Sequence, residues 1–184
     1  MGGAPVIAPA VSASRLVLVT GGARSGKSRF AEERLAALAP AGPWRYLATA
    51  EALDDEMRAR IAHHRSRRGD AWRTIEAPRA LADALRARDD SAALVDCITI
   101  WLSNLMLDGA TDEALLAAAD EVAAAARAAA VPVVFVTNEV GAGIVPENAL
   151  ARRFRDVAGW VNQRLARACD EVFLVAAGLP LKLR

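Results

Sequence analysis

Leu16-Val17-Leu18-Val19-Thr20-Gly21-Gly22-Ala23-Arg24-Ser25-Gly26-Lys27-Ser28 is the stretch on which the fold turns. Its first five residues are a short apolar, β-branched run that stops at paired glycines, the pattern of a buried parallel strand entering a turn. Gly21 to Ser28 satisfies G-x-x-x-x-G-K-[ST], and helical sequence from Lys27 to Leu38 follows directly. Strand, glycine-rich turn and helix in that order form a phosphate cradle. The glycines let backbone N–H groups of Gly21, Gly22, Ala23, Arg24, Ser25 and Gly26 turn inward, and the helix N-terminus adds its positive dipole end. Lys27 is expected to reach the β/γ-phosphates of a nucleoside triphosphate, and the Ser28 hydroxyl to ligate Mg²⁺.

Further strands are expected at Trp44 to Thr49, Ala92 to Ile98, Val131 to Thr137 and Glu171 to Ala176, each short and apolar. Helical sequence separates them at Asp54 to Arg67, Arg79 to Arg88, Thr99 to Leu107, Glu113 to Ala129 and Asn148 to Ala168. This alternation predicts an α/β fold of the P-loop NTPase type, a mostly parallel central sheet with helices on both faces. The alanine-rich stretch from Ala117 to Ala130 carries Asp120, Glu121 and Arg127 and reads as a solvated helix. Length and a hydrophobic fraction of 54% fit one well-buried catalytic domain over 16–184, preceded by a flexible tail over 1–15.

Lys+Arg at 23 and Asp+Glu at 22 nearly cancel, so no nucleic-acid partner is expected and any anion binding is local. The first fifteen residues lack a basic n-region and a long apolar segment, which argues against a signal peptide. No stretch approaches the roughly 18 uninterrupted apolar residues of a membrane helix, so a soluble protein without stable membrane insertion is expected. Cys97 and Cys169 lie in apolar runs without ligand spacing and are expected to be buried free thiols in a reducing cytoplasm.

Asp96 ends the run Leu94-Val95, where a carboxylate is poised near the phosphate loop at the carboxyl edge of the sheet. It is expected to hold the metal's coordination shell together with Ser28, with Glu139 a weaker candidate of the same kind. In the Asp54 to Arg68 segment, Leu53, Met57 and Ile61 recur at helical spacing and His64 falls next on that face, whereas His63 is turned about 100° away. An inward histidine is commonly a hydrogen-bonded core residue, but Arg58, Arg60, Arg65, Arg67 and Arg68 concentrate cationic charge around it. Guanidinium groups pair bidentately with phosphates, and neutral imidazole is a good nucleophile toward phosphorus. Attack on the α-phosphorus of a nucleotide would give a nucleotidyl-histidine and release pyrophosphate.

The ordered segments Val19 to Ser28, Asp54-Asp55-Glu56-Met57 to His64 with Trp72-Arg73-Thr74, Asp96-Cys97-Ile98-Thr99, and Thr137 to Asn148 continuing through Arg152, Phe154-Arg155-Asp156, Gly159 and Asn162-Gln163 carry a resemblance. From Leu16 to its C-terminus the chain resembles the bifunctional adenosylcobinamide kinase/adenosylcobinamide-phosphate guanylyltransferase family of cobalamin (vitamin B12) biosynthesis. The resemblance implies a RecA-like fold, a homotrimer and two reactions. The first is phosphorylation of adenosylcobinamide by ATP or GTP; the second transfers GMP from GTP to adenosylcobinamide phosphate through a GMP-histidine, giving adenosylcobinamide-GDP. The place of that histidine fits His64 best, with His63 its neighbour. The resemblance also implies guanine-nucleotide contacts from Thr49, Ala50, Glu51, Arg65, Ser66, Arg67, Arg68, Glu76 and Asp96. Two other readings compete with it: a monofunctional P-loop kinase in which His64 only packs, and a nucleotide-gated interaction module, which the lack of a coiled coil or second domain disfavours. Trp101, Met106 and Trp160 are large enough to line a corrinoid pocket, with core packing the expected role for each.

Overall fold

The computed structural model describes residues 15–51, 69–87 and 89–184. The expected helix Asp54 to Arg67 and the tail through Ser14 lie outside the described residues. In chain order the elements are β1 (Leu16–Thr20), α1 (Lys27–Leu38), β2 (Trp44–Ala48), β3 (Trp72–Glu76), α2 (Leu81–Arg86), β4 (Ala93–Asp96), α3 (Ile98–Leu107), α4 (Asp112–Ala128), β5 (Val133–Val136), α5 (Ala149–Ala168), β6 (Glu171–Ala176) and β7 (Leu179–Lys182). The strands form one sheet in the order β3-β2-β4-β5-β1-β6-β7. Every neighbouring pair is parallel except β6 with β7.

β1 can sit between β5 and β6 because it is apolar on both faces. Its side chains alternate with the strand period of two. Leu16 and Leu18 join a core built with α2, α3, α4 and α5, among them Leu81, Trp101, Leu115, Val122, Val157 and Leu165. Val17 and Val19 join a second core with Ala31 and Leu35 of α1. Each such large aliphatic side chain contributes about 1.5–3 kcal/mol by leaving water. Among the described residues, helices therefore cover both faces, α1 on one and α2 to α5 on the opposite one. The chain leaves β1 toward one face and leaves β4 and β5 toward the other, which opens a crevice at the carboxyl edge where these connections part.

The strand start is tied as well. Asp170, just before β6, accepts from the Leu16 amide (2.8 Å) and pairs with Arg127 at 3.0 Å. Burial alone would raise the Asp170 pKa; the Arg127 hydrogen bond and the Leu16 amide outweigh it and bring the pKa below its usual value. In α4, Leu115, Ala119, Val122, Ala123, Ala125 and Ala126 are buried while Asp120 and Glu121 face solvent, so the alanine-rich stretch is an ordinary amphipathic helix. Cys97 and Cys169 are buried free thiols.

Two strands depart from the sequence expectation. β3 is polar at Arg73, Thr74 and Glu76 and nowhere fully buried, and β7 is exposed at every residue and contains Pro180, so neither carries a buried apolar run. β7 accommodates its proline as an edge strand. Trp101 and Met106 pack in the core as expected. Trp160 does not: it is 47% exposed on the outer side of α5.

Candidate active site

Gly21 to Gly26 bends from β1 into α1 through residues whose backbone excludes side chains or reverses hand. A Cβ on Gly21 would lie 2.4 Å from the Val175 carbonyl oxygen of β6, so the loop can leave the sheet only as glycine. Arg24 (φ 55°) and Gly26 (φ 92°) are left-handed, and such reversals turn successive N–H groups into a concave nest. α1 begins with no acidic residue in its first turn, so its N-terminal N–H groups keep their full attraction for an anion. Lys27 Nζ donates to the Gly22 carbonyl (3.0 Å), which folds the ammonium back over its own loop. The Ser25 hydroxyl is buried with no hydrogen-bond partner among the described residues. An orphaned hydroxyl in a cradle of inward N–H groups fits a phosphate or its metal ion as the missing partner.

Register places the other carboxyl-edge residues relative to this loop. Glu76 pairs with Ala48, Ala48 with Asp96, Asp96 with Val136, and Val136 with Val19. At about 4.8 Å per strand, Asp96 stands roughly 10 Å from the end of β1, and Glu76 as far again beyond it. Asp96 accepts from the Tyr46 hydroxyl (3.0 Å) through Oδ2. Thr49, just after β2, is spent within the fold: its hydroxyl donates to the Cys97 carbonyl and accepts from the Cys97 amide, both at 2.8 Å. Its amide bonds the Asp96 carbonyl and its carbonyl accepts from Asn104. Thr49 thus locks β2 to the end of β4, and Ala50 and Glu51 continue from that fixed point. Cys97 is no nucleophile here, because burial and then the neighbouring Asp96 charge push its pKa up to about 11.

Two networks at this edge were not read from the sequence. Arg79 binds Glu51 (2.7 Å) and Asp108 (2.5 and 3.1 Å), gathering the connections after β2, β3 and α3. The Asp108 and then the Glu51 hydrogen bonds raise the pKa of Arg79, and Arg79 lowers that of Asp108. Between Asp96 and the phosphate loop runs a second network. Thr137 Oγ1 meets Thr99 Oγ1 (3.2 Å) and Asn162 Oδ1 (2.8 Å), while the Asn138 amide donates to Thr99 Oγ1 (2.7 Å). The Glu139 amide donates to the Gly21 carbonyl (3.1 Å) and its carboxylate accepts from Gly141 N (2.7 Å), so Glu139 braces its own loop. Thr99, Thr137, Asn138 and Glu139 follow the apolar strands β4 and β5, whereas Arg79 after the polar β3 and Asn162 within α5 carry no such local signal. His63, His64, Arg65, Ser66, Arg67 and Arg68 lie outside the described residues. Among the described residues, no group of three or more His, Cys, Asp or Glu could hold a metal, and no helix is long and apolar enough to cross a membrane. A Mg²⁺ ion carried on triphosphate oxygens needs no such protein cage.

A parallel α/β sheet with a glycine-built anion nest at the carboxyl end of a central strand defines a P-loop nucleotide-binding enzyme. The chain belongs to the family described as cobinamide kinase / cobinamide phosphate guanyltransferase, whose sequence pattern matches residues 17–183. The family's two activities, a kinase and a guanylyltransferase, are those of this chain. It is 50% identical to the bifunctional adenosylcobalamin biosynthesis protein CobU of Salmonella typhimurium over 92% of this chain and 99% of that one. With the CobU of Escherichia coli the identity is 44%, over 92% and 99%. The bifunctional adenosylcobalamin biosynthesis protein CobP of Pseudomonas aeruginosa is 46% identical, over 91% of this chain and 96% of its own.

Proposed function

We propose that the loop from Gly21 to Ser28 anchors the triphosphate for two successive transfers on adenosylcobinamide, and that His64 carries GMP between GTP and the corrinoid. The observation that carries the anchoring role is the nest itself: side chains excluded at Gly21, left-handed residues at Arg24 and Gly26, and the Ser25 hydroxyl without a partner among the described residues. In the kinase step the aminopropanol hydroxyl of adenosylcobinamide attacks the γ-phosphorus of ATP or GTP. The bond to the β-phosphate oxygen breaks and the nucleoside diphosphate leaves. Lys27 and the inward N–H groups hold the charge that builds on the phosphate oxygens.

In the guanylyl step an imidazole nitrogen of His64 attacks the α-phosphorus of GTP and pyrophosphate leaves. A phosphate oxygen of adenosylcobinamide phosphate then attacks the phosphorus of the GMP-histidine, returning the imidazole and giving adenosylcobinamide-GDP. Arg65, Ser66, Arg67 and Arg68 are assigned to the transferring nucleotide, and Thr49, Ala50, Glu51, Glu76 and Asp96 to its setting along the carboxyl edge. Ser28 and Asp96 fit Mg²⁺, one as a hydroxyl ligand at the helix start and the other as a strand-end carboxylate. When bound, the ion neutralises charge on the phosphate oxygens. A single catalytic domain over 16–184, working as a homotrimer in the cytoplasm, completes the proposal. The family resemblance supports the trimer, the exposed Leu179 and Leu181 of the edge strand and Leu183 just after it offer apolar surface for subunit contact, and two buried unpaired thiols suit a reducing compartment.

Incubation with Mg²⁺ and GTP labelled on the α-phosphate is expected to leave an acid-labile, base-stable adduct on the protein. Retention of that label by His64→Ala would overturn the role of His64.

A further inference from the structure

The chain ends in a hairpin that touches the phosphate loop. Ala176 pairs with Leu179, so β6 and β7 are joined by the two residues Ala177 (φ 52°) and Gly178 (φ 80°). Positive φ at both positions is the tight turn whose twist suits adjoining strands. This turn lies at the carboxyl end of β6, beside β1, and meets the loop at successive points. The Val175 carbonyl faces Gly21, where a Cβ would approach it to 2.4 Å. The Gly178 amide donates to the Ser25 carbonyl at 2.8 Å. A Cβ on Gly26 would come within 3.3 Å of Gly178 Cα, so these two backbones are in close contact.

β7 buries nothing of its own, yet it is fastened toward α1. Lys182 lies 3.8 Å from Glu171, whose carboxylate also binds Arg34 of α1 at 2.5 Å. Lys182 and Arg34 flank the Phe173 ring at 5.9 and 6.0 Å, and Phe30 of α1 meets the same ring at 5.0 Å. The hairpin is thereby braced against both the loop and the helix that the loop begins.

We infer that the Ala177–Gly178 turn is a positioning element for nucleotide binding, acting by orienting the Ser25–Gly26 peptide. A trans peptide unit is planar, with its C=O and N–H pointing in opposite directions. Gly178 holds the Ser25 carbonyl on the hairpin side, and this turns the Gly26 N–H to the opposite side, into the nest. Without that bond the peptide is free to rotate and offer a carbonyl to the phosphates instead. The inference rests on the loop being the triphosphate anchor.

Cys169 permits a test that changes one atom. Ligating a synthetic Cys169–Arg184 peptide to the preceding chain, with the Gly178 amide replaced by an ester, removes the donor and leaves every side chain in place. The expected result is a dissociation constant for GTP about tenfold weaker, the scale of one oriented hydrogen bond. The KM for nucleotide rises likewise in both reactions, and the KM for the corrinoid does not change. A hairpin that only supports the fold would lower the thermal midpoint and leave the GTP affinity of the folded protein as it was; that outcome overturns the inference. Gly178→Pro, which also lacks the N–H and cannot adopt a φ of 80°, is expected to weaken GTP binding at least as much, and unchanged affinity in it overturns the inference equally. Lys27→Ala separates the two levels. If it leaves GTP affinity intact, the anchor itself fails; if it weakens binding while the Gly178 variants do not, only the hairpin's role fails.

Discussion

The two ends of the carboxyl edge are held by different forces. On the β1–β6 side the phosphate loop is fixed by main-chain atoms: the Val175 carbonyl against Gly21, the Gly178 amide on the Ser25 carbonyl, and the Glu139 amide on the Gly21 carbonyl. On the β2–β3 side Glu51 is held by the guanidinium of Arg79, which Asp108 holds in turn. Main-chain contacts carry no titratable group and are insensitive to salt, but they leave no room for a side chain. Exposed ion pairs tolerate substitution and respond to salt and pH. An anchor that must present the same nest to every triphosphate is suited by the first kind of support. A contact that distinguishes one nucleotide from another can use the second, because a carboxylate released from one guanidinium can take up a different partner.

Gly21→Val strikes the main-chain side hardest. With a carbonyl oxygen 2.4 Å from the new Cβ, β1 and β6 must separate, and because this clash is with backbone the cost exceeds the roughly 1–3 kcal/mol of ordinary core overpacking. Loss of nucleotide binding in a titration and a lowered midpoint in calorimetry are expected; a variant that still binds GTP normally would show that the loop is not held as described.

Thr49→Val is next. It keeps the shape and removes both hydrogen bonds to Cys97 within a buried site, leaving an amide and a carbonyl short of partners. The expected loss of unfolding free energy is about 2–4 kcal/mol, read from urea denaturation. Because Thr49 joins the ends of β2 and β4, this variant probes the middle of the edge, between the two kinds of support.

The smallest effect belongs to the ion-pair end. The Asp108 carboxylate sits below its usual pKa because Arg79 donates to it. A depressed acid stabilises the fold above its unfolded pKa of about 4, and that contribution fades as pH falls through the lower, folded value. In Arg79→Ala, or at high salt, the Asp108 titration followed by NMR is expected to move up toward the ordinary value. A titration unmoved by both would mean that Arg79 does not clamp this end of the edge.

The elements legible in the sequence are those whose signals are local. β1, α1 and β6 lie where apolar runs and the glycine motif put them, because a buried parallel strand must be apolar throughout and the loop after it must turn on glycine. β3 and β7 were not legible. Each owes its place to a ladder with a neighbouring strand: β3 has polar residues at three of its five positions, and the short Leu179-Pro180-Leu181-Lys182 segment holds a proline and buries none of its leucines. A two-residue turn ending in glycine, Ala177-Gly178, and the alternating leucines after it are the local traces of the last hairpin. The place of Asp96 at the carboxyl edge could be read from its position after Leu94-Val95. The roles of Arg79, Thr99 and Gly178 could not, since each depends on partners 28 to 153 positions distant in the chain: Asp108 and Glu51, Thr137, and Ser25.

By itself the sequence determined that a buried strand ends in a phosphate nest and that the chemistry belongs to nucleoside triphosphates. Those facts are written in consecutive residues and in the φ angles that only glycine takes easily. Tertiary structure alone decided what holds the nest in shape and how its neighbours are ranked along the edge. Strand order and hydrogen bonds between distant backbones set those things, and a main-chain amide such as that of Gly178 donates in the same way whatever residue carries it, so no side chain in the sequence announces it.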